Sequence, residues 1–379
     1  MKKKLGLYIH IPFCRSKCFY CDFYSVIYDQ GLIDQYIKHM GKELLLYSQR
    51  YREHYIIDTI YIGGGTPTIL LPFQFTSLFQ KIHDHFDVTE DAEITTEANP
   101  ESLTEEHLKV FRKININRIS LGVQSFHDKV LKLINRRTGQ DEIIRKIKLL
   151  KKYRFPNISL DLIFGLPEQN TALFKQDLKL ALSFHPQHLS LYSLILDKKT
   201  PAAELYARKK EIFPDDEEMV KDYLYANHEL KKHGFIRYEI SNFCKKGFES
   251  RHNLKYWRQL PYLGIGASAT STIEENRWTN VYHITDYIEK LKVNDRPVMK
   301  LEKLTPIKLF NEKVMLKLRL REGLPIKDLD SREKRMLGSK KGAIRELTRM
   351  GLLKSGHNRL TIPLKGIMLS NEVISWLMY

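Results

Sequence analysis

The sequence predicts an α/β fold, an open, partial, TIM-like (β/α)6 barrel followed by a small C-terminal winged-helix-like domain. Three observations support this prediction. Short β-rich runs alternate with longer amphipathic stretches up to about residue 235, polar residues recur where these runs end, and the chain becomes more basic after residue 300. With 379 residues, of which 42% are hydrophobic and 28% charged, the chain can bury a sizeable core, which excludes a disordered or fibrous protein.

Six runs have the composition of buried strands, namely residues 5–11, 59–62, 93–98, 118–123, 158–164 and 188–195. Between them, apolar residues recur at helical spacing, as in Ile143, Ile144, Ile147 and Leu150, and Thr104 is positioned to cap a helix. Six units are too few to close an eight-stranded barrel. We therefore expect an open barrel whose reactive groups lie at the C-terminal ends of the strands.

Polar residues follow or end the predicted strands in chain order. They are Cys14, the segment 63–66, Glu97, Gln124 and Asp161. Because the C-terminal ends of parallel strands meet at one mouth of a barrel, these residues are expected to share one site.

The predicted domains are the barrel (1–235), a barrel-completing and ligand-binding segment or linker (236–299) and a basic accessory domain (300–379). The accessory domain has 18 Lys and Arg against 8 Asp and Glu, a net charge of +10 out of +17 for the chain. Helices around 310–320 and 340–350 and a hairpin through Leu360 predict a winged helix there.

Three of the four cysteines, Cys14, Cys18 and Cys21, lie within eight residues, and Cys244 is remote. In a reduced cytosolic chain, clustered thiols more often hold a metal or do chemistry than form disulfides. An iron–sulfur cube normally has four cysteine ligands, so three leave one iron open to a further ligand. Structural zinc is the alternative, but closed zinc sites have four ligands, and His10 is the one nearby candidate.

The CxxxCxxC spacing, with Tyr20 before the last cysteine, resembles the radical S-adenosylmethionine (SAM) superfamily. The segment 8–14, Tyr-Ile-His-Ile-Pro-Phe-Cys, resembles its oxygen-independent coproporphyrinogen III oxidase branch. The resemblance implies a radical SAM-type barrel, a [4Fe-4S] cluster on Cys14, Cys18 and Cys21, SAM on its open iron and an external electron donor. It also implies SAM contacts from Tyr8, Gly64, Gly65, Thr66, Glu97, Gln124, Arg136 and Asp161.

Two segments resemble the haem-chaperone (HemW-like) family related to this oxidase, namely Cys-Asp-Phe-Tyr-Ser at 21–25 and His-Asn-Leu-Lys-Tyr-Trp at 252–257. The oxidase has a further cysteine where Phe23 stands here, and a long N-terminal extension where only thirteen residues precede Cys14. The resemblance implies haem as cargo for an acceptor protein. It further implies His252 as a ligand to the haem iron, with Tyr256 and Trp257 against the porphyrin.

Two other functions remain as alternatives. The first is the oxidase itself, and the second is a nucleic-acid-binding protein that uses the basic tail. We rank the second low, because Glu312, Glu322 and Glu333 interrupt the cations of the tail. Cys244 is interpreted as an ordinary thiol, with a thioether to haem left open.

His10 and Pro12 interrupt the first apolar run, and eighteen apolar residues never occur in succession. No export signal or transmembrane span is therefore predicted, and we expect a cytoplasmic protein. Peripheral membrane contact and a homodimer are left open.

Overall fold

A computed structural model of the chain describes residues 2–379. Its strands are β1 (Lys3–Ile11), β2 (Phe13–Cys14), β3 (Val26–Ile27), β4 (Tyr55–Gly64), β5 (Val88–Ala98), β6 (Arg118–Gln124), β7 (Asn157–Phe164), β8 (His188–Ser193), β9 (Ile236–Arg237), β10 (Asn242–Cys244), β11 (Tyr262–Ile265), β12 (Thr270–Ile273), β13 (Asn276–Asn280), β14 (Val298–Lys303), β15 (Leu324–Pro325), β16 (Lys354–Gly356) and β17 (Arg359–Thr361).

The α-helices are α1 (Gln30–Tyr51), α2 (Pro72–His85), α3 (Glu105–Lys113), α4 (Asp128–Leu133), α5 (Gln140–Lys152), α6 (Thr171–Ser183), α7 (Pro201–Arg208), α8 (Asp216–Lys232), α9 (Arg251–Trp257), α10 (Ile284–Lys292), α11 (Pro306–Arg319), α12 (Ser331–Ser339), α13 (Lys341–Arg349) and α14 (Ser370–Leu377). Short 3-10 helices occupy Pro67–Ile69, Lys210–Ile212, Ile326–Asp328 and Leu364–Gly366.

The centre of the fold is a run of six parallel strands in the order β1-β4-β5-β6-β7-β8. Each strand predicted from the sequence overlaps one of these six. Every second residue in the middle of β1 and of β4 is fully buried in the hydrophobic core, namely Leu7, Ile9, Ile60 and Ile62. The predicted open, partial barrel is therefore confirmed.

Further strands extend this run at both edges. Strand β11 pairs in parallel with β1, with Tyr8 opposite Gly264, and β12, β13 and β14 continue the sheet in antiparallel fashion. On the other side, β10 and β9 follow β8, also antiparallel. The sequence did not predict β11, because it has only four residues and contains a glycine.

Helix α9 packs against the N-terminal halves of β1, β4 and β5. Glu93 accepts hydrogen bonds from the backbone N–H groups of Arg251 (3.0 Å) and His252 (2.9 Å). Lys255 forms a buried ion pair with Asp58, with Nζ 2.6 Å from Oδ1. Helix α9, about 160 residues later in the chain than Glu93, thus supplies the partners of the polar side chains Asp58 and Glu93 on the barrel strands.

The C-terminal region folds into helices α11–α14 and a small antiparallel sheet in the order β15-β17-β16, which confirms the predicted winged-helix-like domain. The Arg277 guanidinium joins it to the barrel by two hydrogen bonds to the Glu312 carboxylate, 2.5 and 2.8 Å long. In the described part of the chain, no helix combines the length and the apolar character needed to cross a membrane.

Candidate functional site

The three clustered cysteines lie on one loop at the mouth of the barrel. Cys14 ends β2, which pairs with β3, and the Cys14 carbonyl accepts a hydrogen bond from the Tyr28 N–H at 2.9 Å. The Cys21 N–H donates to the Cys18 carbonyl at 3.2 Å. All three thiols are half-buried and line the same cavity of about 390 Å³, which we call the mouth cavity.

The chemistry of these thiols fits an iron–sulfur cluster. Burial raises the pKa of Cys14 and raises the pKa of Cys21 to about 11, so iron must displace their protons to bind. Among residues 2–379, no three His, Cys, Asp or Glu side chains converge on the position of a single metal ion. Three thiols that line one cavity can each bind a different iron of a cluster.

Glycines at the end of β4 allow the cysteine loop to approach closely. A Cβ atom on Gly65 would lie 2.9 Å from the Cys14 Sγ and 2.7 Å from the Phe13 carbonyl oxygen. Gly64 has a φ of +117°, which a residue with a side chain rarely adopts. The Thr66 N–H donates to the same Phe13 oxygen at 2.8 Å, and its Oγ1 lies 3.5 Å from the Cys14 Sγ.

Glu97 presents a carboxyl group to this cavity near the end of β5. It accepts hydrogen bonds from the Tyr61 hydroxyl at 2.8 Å and from the Gly64 N–H at 3.3 Å. Burial raises the pKa of Glu97 to about 7. A cationic or hydroxyl-bearing ligand beside this group would therefore favour the ionised carboxylate.

A second carboxyl group, Asp161 on β7, lines the same cavity. The hydroxyl of Ser120 lies 2.8 Å from its Oδ2, and that of Ser159 lies 3.0 Å from its Oδ1. Burial raises the pKa of Asp161, and these hydroxyl donors oppose the shift. The carboxyl is thus held in one orientation by residues of its own strand and of β6.

Gln124 and Arg136 complete the wall beside the cysteine loop. Gln124 ends β6 with a φ of +69°. The Arg136 guanidinium donates to the Gly122 carbonyl at 2.5 Å, and its Nη1 lies 3.6 Å from the Cys18 Sγ. Its positive charge can stabilise a thiolate or a ligand carboxylate at this position.

The mouth cavity therefore brings together the three cysteines and every predicted SAM residue except Tyr8, which stacks on Tyr61 with ring centroids 6.2 Å apart. The Tyr8 hydroxyl lies 2.8 Å from Nδ1 of His10. Sequence reasoning missed Tyr61, Ser120 and Tyr192, which also line the cavity. Tyr61 lies two residues before Gly63 on β4. Because every second residue of a strand lies on the same face, the sequence could have placed Tyr61 on the inner face of the barrel.

Two of the three residues predicted to contact haem, His252 and Tyr256, are in direct contact. His252 is fully buried, and its Nδ1 and Nε2 lie 2.9 Å from the Thr59 hydroxyl and 2.8 Å from the Tyr256 hydroxyl. Burial lowers the pKa of His252 to about 3. Both ring nitrogens are thus hydrogen-bonded within the fold, and iron could reach Nε2 only after Tyr256 moved. Haem ligation by His252 stays a prediction.

Tyr256 and Trp257 line another cavity, between the barrel and the C-terminal domain. Cys244 is buried on β10, and burial raises its pKa to about 12.

Comparisons with known proteins identify the domains of this chain and its relatives. Residues 8–181 match the Radical SAM superfamily, and residues 304–369 match the HemN C-terminal domain. The chain is similar to the coproporphyrinogen III oxidase HemN from Escherichia coli, described as a radical SAM enzyme, with a TM-score of 0.87 and 22% identity over 99% of this chain and 90% of that one.

Curated relatives are more similar in sequence. The protein named Heme chaperone HemW from Bacillus subtilis is 34% identical over 368 residues, which cover 97% of each chain. The Escherichia coli protein of the same name is 36% identical over 269 residues, 70% of this chain and 69% of that one. With its radical SAM and HemN C-terminal domains, the chain belongs to the HemW family.

Proposed function

We propose that this protein is a cytoplasmic haem chaperone that binds haem, a [4Fe-4S] cluster and SAM, and that delivers haem to an acceptor protein. The observation that carries the proposal is the relationship to curated haem chaperones, at 34% identity over 97% of both chains. The walls of the mouth cavity support the cofactor part of the proposal, because they combine three thiols with two carboxyl groups and a guanidinium.

Cys14, Cys18 and Cys21 would hold the cluster. When bound, such a cluster supplies an open iron that binds SAM and an electron for its reductive cleavage. The absence of a side chain on Gly65 allows the cysteine loop to lie against the end of β4. Arg136 stabilises negative charge beside Cys18.

Two carboxyl groups orient the cofactor in this proposal. Glu97, held by Tyr61, and Asp161, held by Ser120, present oxygens that accept hydrogen bonds from an ammonium group or from ribose hydroxyls. Gln124 adds an amide that both donates and accepts hydrogen bonds. Reduction of the cluster requires an electron donor outside this chain.

Haem titration tests the proposal directly. Purified protein with a reconstituted cluster is titrated with ferric haem, and the absorbance of the bound haem is followed. It is then mixed with a haem-free acceptor, apomyoglobin, as the probe. Saturable binding followed by transfer to the acceptor supports the proposal. A protein that binds no haem contradicts it.

The oxidase is the second candidate, and the similarity of fold to HemN favours it. At 22% identity, however, that similarity establishes the fold and not the activity. Phe23, whose side chain is exposed and lines the mouth cavity, stands where the oxidase has a cysteine. Incubation with coproporphyrinogen III, SAM and a reductant separates the two functions, because a decarboxylated product would overturn the chaperone proposal.

Nucleic-acid binding through the basic C-terminal domain has less support. Several of its cations already form ion pairs, including Lys313 with Glu333, Lys308 with Glu302, and Arg349 with Glu346. Binding of duplex DNA, measured against salt concentration, tests this alternative, and a sub-micromolar complex at physiological salt would support it.

A further inference from the structure

A second cavity, of about 690 Å³, lies between the open side of the barrel and the C-terminal domain, and we call it the interdomain cavity. Its volume lies within the range of about 300–1,000 Å³ that is usual for small-molecule sites. The barrel side contributes Phe164, Leu191, Tyr192, Tyr223, Tyr256 and Trp257. The C-terminal domain contributes Leu316, Arg319, Ile367, Met368 and Asn371. The walls are therefore mainly aromatic and aliphatic.

Buried polar atoms without partners lie in the same walls. Glu239 is 1% exposed and Asn242 is 4% exposed. Within the described residues, neither the Oε1 of Glu239 nor the Oδ1 of Asn242 has a hydrogen-bond partner, and the same holds for the Nε of Arg319. Leaving a buried polar group unpaired costs about 1–3 kcal/mol. Such groups in the walls of one cavity indicate a ligand that pairs with them.

Arg319 is the cation of this cavity. Its Nη2 donates to the Asn371 Oδ1 at 2.8 Å, which fixes the guanidinium at the end of α11. Glu239 faces the same cavity, and burial raises its pKa. A guanidinium in a mainly apolar wall suits a ligand that carries a carboxylate group.

The two cavities adjoin. Tyr192, Ser193, Ile195 and Asn253 line both of them. The interdomain cavity is also next to α9, which places the aromatic rings of Tyr256 and Trp257 in its wall. These are two of the three residues that the sequence associates with haem, whereas His252 lies behind Tyr256.

We propose that the interdomain cavity is the haem-binding site, with the porphyrin against Tyr256 and Trp257 and a propionate paired with the Arg319 guanidinium. This inference rests on the proposed function and deepens it by locating the cargo. A flat, apolar ring system with carboxylates at one edge matches the aromatic walls and the Arg319 guanidinium. The porphyrin would then contact both domains, so the domain junction would form part of the binding site.

The test uses the full chain and titration with ferric haem followed by absorbance. Arg319→Met keeps the length of the side chain but removes its charge, and we expect haem affinity to fall about 10- to 100-fold, the usual effect of one lost charge-assisted hydrogen bond. Arg321→Met is the matched control, because this exposed side chain two residues away does not line the cavity. We expect it to bind haem like the wild type.

Asn371→Trp is a second variant that fills the cavity from an exposed position, and it decides the question should Arg319→Met fail to fold. Metal-free protoporphyrin IX serves as a second probe, and its affinity should depend on Arg319 in the same way. If the wild type binds haem and folded Arg319→Met and Asn371→Trp bind it equally well, the site lies elsewhere and only this inference falls. If the wild type binds no haem, the proposed function falls as well.

Discussion

The Tyr256 hydroxyl lies 2.8 Å from Nε2 of His252, and this contact makes the histidine part of the buried hydrogen-bond network beneath the barrel strands. With the Thr59 hydroxyl 2.9 Å from Nδ1, the neutral ring has a partner for its one N–H and for its one lone pair. His252 therefore contributes to stability whether or not haem is present.

Replacement of His252 by alanine tests this structural role. We expect His252→Ala to lower the free energy of unfolding by about 2–4 kcal/mol, because it leaves the buried Thr59 hydroxyl without its partner, removes the partner of the Tyr256 hydroxyl and opens a cavity. Chemical denaturation of the haem-free protein measures the effect. His228→Ala on the exposed face of α8 is the control and should change stability little. Equal stability of His252→Ala and the wild type would contradict the structural role.

The cysteine cluster gives a prediction about iron. Reconstituted protein should show the brown absorbance of an iron–sulfur cluster, and Cys18→Ser should abolish it, because the three thiols share one mouth cavity. Cys244→Ala removes a buried thiol outside that cavity and should retain the iron. Iron analysis per chain is the measurement. A triple-serine variant at positions 14, 18 and 21 that kept its full iron content would refute the cluster assignment.

Gly65→Ala should disturb the cysteine loop. The added Cβ would lie 2.7 Å from the backbone oxygen of Phe13, which cannot rotate away, so we expect a loss of about 1–3 kcal/mol in stability and a lower iron content. Gly342→Ala, on helix α13 with open space around it, is the control. It should be neutral or stabilising by up to about 1 kcal/mol. If both variants have the iron content and the thermal stability of the wild type, a Cβ at position 65 does not disturb the cysteine loop.

Glu43 makes the stability of the fold depend on pH. This fully buried carboxyl accepts hydrogen bonds from the Tyr287 hydroxyl (2.6 Å), the Gly266 N–H (2.8 Å) and the Asn280 amide (2.6 Å), and burial raises its pKa from 4.5 to about 7. The folded chain thus binds the proton more tightly than the unfolded chain. The resulting stabilisation is complete below pH 4.5 and is lost as the pH rises through about 7, at up to about 1.4 kcal/mol per pH unit.

Urea denaturation across this pH range measures the slope. Glu43→Gln cannot ionise and should reduce the fall in stability between pH 4.5 and 7, to which Glu97 also contributes because burial raises its pKa to about 7 as well. Glu275→Gln, at an exposed position, should leave the fall unchanged. An identical slope in Glu43→Gln and the wild type would contradict the assignment to Glu43.

The central strands could be predicted from the sequence because their signal is local. Each is a β-rich run that precedes a polar or glycine-containing turn, such as Ile60 to Ile62 before Gly63. The residues at the mouth follow from the same pattern, since the C-terminal ends of parallel strands must meet. Position along the chain was sufficient to place Glu97, Gln124 and Asp161 around one cavity.

Other features depend on contacts between distant segments and have no local signal. The sequence gives no indication that His252 packs under Thr59, which lies 193 residues earlier. Tyr8 belongs to the predicted set of SAM residues, yet it is His10 that lies beside its hydroxyl. The interdomain cavity was not predicted, because its walls come from strands, from α9 and from the C-terminal domain.

The pairing of β1 with β11 has a consequence for synthesis of the chain on the ribosome. Residues 3–11 can pair with β4 once β4 has been translated, but their other neighbour, Tyr262–Ile265, follows β1 by some 250 residues. Until then one edge of the first strand presents free N–H and C=O groups, which are a template for aggregation. The free edge of β1 in a nascent chain therefore needs shielding until β11 has been translated.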